Sequence, residues 1–402
     1  MALPTAIDLA SGWLVPGRET SPIVGRIVVA GDLYPGGQAE AVLSEGDADQ
    51  VWGSMVRPGS ADELHVADLE CPLTFRGAPI AKSGPHLRAS PASASGIRKG
   101  GFDILTLANN HIMDMGEPGL EDTLGACASA GLKTVGAGRN LGEAARPVIA
   151  DLNGMAVVVI ACAEHEFSIA GGASAGAAPV DLIDNTAQIA AAKDRAEFVL
   201  VILHGGHEYF PLPSPRMVKL SRHYVEVGAC AVIWHHGHTA SGIELHRGSP
   251  IVYGTGNFLF DWKGPHPQAW YRGYLVELEV ASGGVRQVRL VPYTQSAGHL
   301  GVRRMTTEAG REFLSEIEGY SRIIADEGQL HRSWEEFCHS KRAQYLSTAL
   351  CLTRFERRLL RLGIWPFWRA NSESILELLD FFTCESHREV TENVLGGEAR
   401  KR

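Results

Sequence analysis

Short apolar runs alternate with amphipathic stretches from about residue 26 to residue 291, the pattern that a layered α/β fold requires. Residues 26–30 predict a first strand ending at Gly31-Asp32. Residues 64–67 predict a second ending at Asp68-Leu69-Glu70, and 103–107 a third ending at Asn109-Asn110-His111. Residues 156–162 and 198–203 are unbroken runs rich in β-branched side chains, as in strands buried on both faces, and the second runs into His204. Residues 229–233 predict a strand that runs into His235-His236-Gly237-His238. Helices are expected over 119–130, with Leu120, Leu124 and Cys127 on one face and Gly131 as the stop, and over 216–227. Residues 274–280 and 285–291 alternate around Ser282-Gly283-Gly284, a hairpin signal. After Thr306 the strands stop, and 308–320, 333–362 and 373–382 read as helices with a break at Trp365-Pro366. The expected organisation is an N-terminal extension (1–24), an α/β domain (25–300) and a C-terminal helical region (301–402).

Composition narrows the function classes. The chain has 402 residues, 45% hydrophobic and 21% charged, ordinary for a soluble globular protein. A net charge of −9 argues against a nucleic-acid binder acting through bulk charge and against attraction to anionic lipid. No apolar run reaches the roughly 18 residues of a membrane span, and residues 1–16 lack the charged and apolar regions of a signal peptide. The seven cysteines are scattered without a CxxC pair, which fits thiols in a reducing cytosol. The expectation is a cytoplasmic protein with no nucleic-acid and no membrane partner.

The polar residues at the strand ends carry the chemistry. Asp32, Glu70, Asn110-His111, His204 and His236/His238 each follow a separate predicted strand, and the carboxyl ends of strands are where α/β sheets bind ligands. Carboxylate, amide and imidazole donors together suit a divalent cation such as Zn, Mn, Fe or Ca. Singly, each is weak, since an Asp after a strand is commonly a cap or turn residue. In an extended segment His236 and His238 point to one side and reach one ion, with His235 facing the other way. His111 and Asp114 form an imidazole–carboxylate pair suited to acid/base work or to bracing a loop. Asp261 and His207 are further acid/base candidates, with cap or surface roles as the alternative. Tyr209, Trp234, Phe258, Trp262 and Trp270 could wall an apolar pocket or be plain core. Arg354, Arg357, Arg358 and Arg361 recur at helical spacing, as a solvated face or a grip on an acidic partner.

Taken together these motifs resemble the capsule poly-γ-glutamate synthesis (CapA-type) family. The resemblance rests on Val29-Ala30-Gly31-Asp32, on Asp68-Leu69-Glu70-Cys71-Pro72-Leu73-Thr74, and on Ala108-Asn109-Asn110-His111 through Asp114-Met115-Gly116. Gly119-Leu120, residues 136–140, His204-Gly205-Gly206-His207-Glu208-Tyr209, the His235–His238 run and residues 256–261 extend it over about 25–291. It implies a calcineurin-like metallophosphatase sandwich, α/β/β/α in its layers, here with an appended C-terminal helical region. It further implies metal roles for Asp32, Asp68 or Glu70, Asn110, His204, His236 and His238, and an acid/base role for His111 supported by Asp114. Three features depart from dinuclear phosphatases: Tyr34 stands where a His follows the first Asp, Asp68-Leu69-Glu70 replaces the usual bridging-Asp motif, and Trp234 stands where a Gly precedes the His pair. These departures fit one divalent ion.

One activity known for this type of protein is epimerisation of the C-terminal tryptophan of a lasso-peptide precursor, which makes a ribosomal precursor peptide the expected partner. That chemistry needs a base on one face of Cα, an acid on the other, and positive charge near the carboxylate. His111 with Asp114 would serve one face, and a His of the run, His235 among them, with Asp261 the other. The alternatives are a metallophosphoesterase hydrolysing phosphate esters and a soluble CapA-type poly-γ-glutamate synthesis protein.

Overall fold

The computed structural model describes residues 7–14, 21–45, 47–53, 55, 62–362, 364, 372–384, 386–388, 390–391 and 394–395; the expected break at Trp365-Pro366 lies outside them. Strands β1 (Ile23–Tyr34), β2 (Glu63–Leu69) and β3 (Ile104–Thr106) run parallel in a nine-stranded sheet. The expected hairpin, Arg272–Ala281 with Gly284–Gln295, lies antiparallel on the other side of β1. A second, six-stranded sheet holds β4 (Met155–Ala163), β5 (Phe198–His204) and β6 (Ala231–His235), again parallel.

Alternation within these strands decides the layers, because successive side chains leave a strand on opposite faces. From the second sheet, Val157, Val159, Ala161, Phe198, Leu200, Ile202, Ala231 and Ile233 join the core shared with the first sheet. Their neighbours Val158, Ile160, Cys162, Val199, Val201, Leu203, Val232 and Trp234 face a second core. That second core takes Ile189 and Ala192 of helix Leu182–Lys193 and Met217, Tyr224 and Val225 of helix Pro215–Val227. Leu120 and Cys127 of α1 (Gly116–Ala130) join the first core. Apolar side chains on both faces explain why β4 and β5 read as unbroken apolar runs. The expected α/β sandwich of two sheets with helices is therefore present, with parallel strands delivering their carboxyl ends to one region.

The C-terminal part differs from expectation. Contacts divide the chain into one unit of Met1–Ile80 with Gly84–Leu330 and a second of Ala81–Ser83 with His331–Arg402. Helix α2 (Thr307–Ala325) belongs to the first unit, since Phe313, Leu314 and Ile317 enter the shared core, so the division falls some 30 residues after the expected one at 300. The helix expected over 333–362 is two: α3 (Glu327–Ala349) and α4 (Arg354–Arg361). Cys351 between them is left-handed (φ 48°), and Thr353 and Glu356 close a capping box that starts α4 afresh. Helix α5 (Ser372–Thr383) follows. Among the described residues no helix is long and apolar enough to cross a membrane, and all seven cysteines are free thiols.

One glycine lets the first sheet close beside the strand ends. The β1–β2 ladder shifts register between Val29 and Asp32, and Gly31 in that interval lies against the loop before strand Asn257–Phe260. A Cβ at Gly31 would stand 1.8 Å from the Gly256 carbonyl oxygen. Gly31→Ala is therefore expected to destabilise the protein by about 3 kcal/mol, the upper end for overpacking. Urea denaturation checks this, and an unchanged midpoint contradicts the contact.

Candidate metal centre

The strand ends bring the predicted residues together. Asp32 lies near the end of β1, Asp68 in β2 with Glu70 just beyond it, and Asn110-His111 after β3. His204 closes β5 and His235 closes β6, with His236 and His238 in the turn that follows. Asp32, Asp68, Glu70, His111, Asp114, His204, His235, His236 and His238 are all buried, and Asn110 is half-buried. His236 and His238 do not converge by strand alternation. The strand stops at His235, and both residues adopt left-handed backbone (φ 92° and 51°), which folds the run into a turn with their rings 6.1 Å apart. Such φ values are costly for a non-glycine residue and concentrate at functional sites.

Glu70 is the centre of the arrangement. Neither of its carboxylate oxygens has a hydrogen-bond partner, and the side chain is fully buried. The Nε2 atoms of His238, His204 and His111 stand 3.7, 3.8 and 4.0 Å from Glu70 Oε1, beyond hydrogen-bond reach. Each of these imidazoles is held through its other nitrogen by a carboxylate. His204 Nδ1 lies 3.1 Å from Asp68 Oδ2, whose Oδ1 accepts from Thr106 Oγ1 at 2.6 Å. His111 Nδ1 lies 2.6 Å from Asp114 Oδ2, which also accepts the Leu87 backbone N–H. His238 Nδ1 lies 3.3 Å from Asp32 Oδ2 and 2.8 Å from Asn257 Oδ1. His204 Nε2 further meets Asn110 Oδ1 at 3.0 Å and His236 Nδ1 at 3.1 Å.

Burial and these contacts set the protonation tendencies. Burial drives the Glu70 carboxyl well above the ordinary range, and the charges of Asp32 and Asp68 add to the rise. Burial also works against the Asp32 carboxylate, but hydrogen bonds from His235 and His238 outweigh it and hold its pKa low. Burial and the neighbouring His204 and His238 push His236 far toward the neutral form. For His235 and His238 burial opposes the charged form, and Asp32 more than offsets it.

A divalent cation fits this set. A buried, unpartnered carboxylate ringed by imidazole nitrogens lacks only positive charge, and a carboxylate on the far nitrogen of a ligating His is the usual second support of a metal site. Glu70, His204 and His236 form one group of donors with all ligand atoms within 4.8 Å of each other, and Asp32, Glu70 and His238 form another. Asn110 Oδ1 adjoins the first. Mixed nitrogen and oxygen donors suit Zn, Mn or Fe, with Ca favoured only by an oxygen-rich set. Of the Asp68/Glu70 pair, Glu70 faces the imidazoles openly while Asp68 is engaged with Thr106 and His204.

Asp261, Trp234 and Phe258 sit elsewhere. The carboxylate that the His235–His238 run meets is Asp32; Asp261 accepts the Gln38 backbone N–H at 2.8 Å and packs against Gly37. His235 is fully buried, with Nδ1 3.3 Å from both Asp32 Oδ1 and Thr255 Oγ1. Trp234 and Phe258 are core residues, the former bonded to Ser221 Oγ and the latter stacked on Trp52. Trp270 and Tyr209 do border the site, 4.8 and 6.3 Å from the His238 ring. Glu166 was not among the candidates, yet it accepts from Asn110 Nδ2 at 3.0 Å and approaches His236 at 3.8 Å. It follows β4, so the strand-end rule that found the others covers it too.

Adding Zn2+ or Mn2+ to chelated protein is expected to raise the melting temperature, by about 2.7 kcal/mol of added stability at a hundredfold excess over Kd. Glu70→Gln should abolish that rise without lowering the melting temperature of the cation-free protein, since it removes a buried charge and keeps its shape. Calorimetry with metal analysis checks both; a cation-dependent rise that survives in the variant contradicts the assignment of Glu70.

The family described as bacterial capsule synthesis protein PGA_cap matches residues 26–262. The capsule biosynthesis protein CapA of Bacillus anthracis is 28% identical over 319 residues, covering 74% of this chain and 75% of that one. The PGA biosynthesis protein CapA of Bacillus subtilis (strain 168) is 29% identical over 306 residues, covering 73% and 79%. Among solved structures, a 5'-nucleotidase precursor from Thermus thermophilus is 16% identical over 75% of this chain and 59% of that one, with a TM-score of 0.41, too slight a likeness to carry a conclusion. The family match covers more than half of the sequence and contains every strand end that reaches the Glu70 cluster. The chain belongs to the bacterial capsule synthesis protein PGA_cap family.

Proposed function

We propose that the chain is a metal-dependent peptide epimerase that inverts Cα of the C-terminal residue, tryptophan, of a ribosomal lasso-peptide precursor. The observation that supports this reading is the pair of carboxylate-braced imidazoles, His111 on Asp114 and His238 on Asp32, with Nε2 atoms 4.0 and 3.7 Å from the same Glu70 oxygen. They come from different strand ends, so two proton-transfer groups approach one point from separate loops. His204 differs, because its Nε2 is already engaged by Asn110 and His236.

In this reading Glu70, His204, His236 and Asn110 hold the ion, and Asp68 orients His204 through its Nδ1. When bound, a divalent cation supplies positive charge that offsets the negative charge developing at the substrate carboxylate. His111 Nε2 takes the Cα proton as the C–H bond breaks, and His238 Nε2 delivers a proton to the other face as the new C–H bond forms. Composition is unchanged, and the reverse reaction exchanges the two roles. Trp270, with Tyr209 stacked on it at 6.1 Å, offers an aromatic wall to an indole side chain.

A second reading is favoured by the names of the relatives, a capsule biosynthesis protein and a PGA biosynthesis protein. There the chain would serve poly-γ-glutamate synthesis, and the substrate would again be an amide-linked chain ending in a carboxylate.

Incubation of a precursor peptide with metal-loaded protein in D2O, followed by chiral analysis, tests the first reading. The expected product is the inverted residue carrying deuterium, with little label in recovered starting peptide, as two separate bases require. His111→Ala and Asp114→Asn should lower the rate about 10²–10⁴-fold with metal content unchanged. No exchange, with phosphate released from a model monoester, would place the protein among the hydrolases.

A further inference from the structure

The whole-chain charge of −9 conceals a local excess of the opposite sign. Between residues 341 and 361 the sequence carries six Lys and Arg against one acid, Glu356. That acid is engaged internally: it is buried, and its Oε2 accepts the Thr353 backbone N–H at 2.8 Å in the capping box of α4. Arg357 Nε donates to the Leu352 carbonyl oxygen at 2.9 Å, and among the described contacts Arg354 and Arg358 meet no acid. Among the described residues the outer surface of α4 is thus basic with no acid paired to Arg354 or Arg358.

Apolar side chains share that surface. Phe355 of α4 and Leu362, the residue that caps its C-terminus, are seven residues apart and so fall close to one line along the helix, 67% and 68% exposed, with exposed Arg358 between them and Arg354 one turn before it. Glu356 and Leu360 occupy the buried side. Exposed Leu376, Leu379, Phe381 and Phe382 of α5 belong to the same unit. A monomer in water rarely leaves so much large apolar surface open. Large apolar groups interleaved with arginines match the surface of an anionic bilayer, acyl chains for Phe355 and Leu362 and lipid phosphates for the arginines. The bulk charge that argued against lipid is an average over two unlike units.

We propose that α4 is a peripheral attachment helix that lays its Arg354, Phe355, Arg358 and Leu362 arc on anionic lipid.

Co-sedimentation of the full chain with phosphatidylcholine vesicles, and with vesicles one-third phosphatidylglycerol, tests this. Partitioning should rise at least about tenfold on the anionic vesicles and return to the neutral-lipid level in about 0.5 M NaCl, where charges are screened within a few ångström. One arginine near such a surface is worth about fivefold, so R354E/R358E should lose at least about tenfold. F355S/L362S should do the same, while R311E, an exposed charge change on α2, leaves binding as it was. All three variants alter exposed positions, and unchanged melting transitions confirm folding. Equal partitioning on both lipid compositions would overturn the proposal, as would binding that persists in R354E/R358E. A wild-type dimer that dissociates in F355S/L362S without any vesicle binding would assign the arc to a second copy of the chain and overturn it as well.

Discussion

Glu70 places a carboxylate with no hydrogen-bond partner in the interior, where ionising it alone is opposed by several kcal/mol of lost hydration. The surrounding structure is arranged as though that charge will be met. Three imidazoles turn Nε2 toward it, and each has Nδ1 fixed by a different carboxylate, Asp68, Asp114 or Asp32. A His–carboxylate contact on the far nitrogen fixes the tautomer and makes the near nitrogen a better donor to a cation. Three such pairs around one acid would be hard to account for as packing, since every member is a polar group removed from water. A divalent cation would meet the charge of Glu70, and the pairs orient the imidazoles around it.

The fold supplies this convergence through strand direction. β1, β2 and β3 run parallel in one sheet and β4, β5 and β6 in the other, so the residues leaving each strand emerge at carboxyl ends. Two local features refine the placement. Gly31 allows the approach to the Gly256 carbonyl beside Asp32, and the left-handed turn at His236 and His238 sends the two imidazoles to overlapping but distinct donor groups. The strain of that turn is borne by the well-packed strand before it, where Ala231, Val232, Ile233 and Trp234 are fully buried.

Much of this was legible because period and punctuation carry it. β4 and β5 were visible as apolar runs, α1 as an amphipathic stretch stopped by Gly131, and the strand ends as places where a carboxylate or imidazole breaks an apolar run. Backbone sign was not legible: nothing in His-Gly-His distinguishes an extended segment from a left-handed turn. Asp261 and Asp32 look alike in sequence, yet one braces the Gln38 amide and the other a pair of histidines, because sheet register and not spacing decides which strand end faces which. The break between α3 and α4 was readable in the spacing of Thr353 and Glu356 only as a capping box inside a region of continuous helical period. Trp234 and Phe258 show the limit for aromatics, since proximity in sequence to a site residue does not separate the wall of a pocket from the core beneath it.

The charge of the site constrains its substrate. Asp32, Asp68 and Glu70 lie together, and among the described residues their partners are histidines, Thr106 and backbone, never Lys or Arg. A carboxylate or phosphate would be repelled by that group unless positive charge arrived with it. Ion and anionic substrate should therefore bind with positive coupling, each raising the affinity of the other by the same factor. This holds for a peptide terminus, a poly-γ-glutamate chain or a phosphate ester alike, so anion binding by itself does not separate them. In the proposed reading the paired imidazoles separate them: a hydrolytic site needs a proton donor for a leaving group, whereas inversion at carbon needs a base and an acid at the same point. His111 and His238, each braced by a carboxylate and standing 4.0 and 3.7 Å from Glu70 Oε1, are the pair that the proposed reading assigns to the second demand.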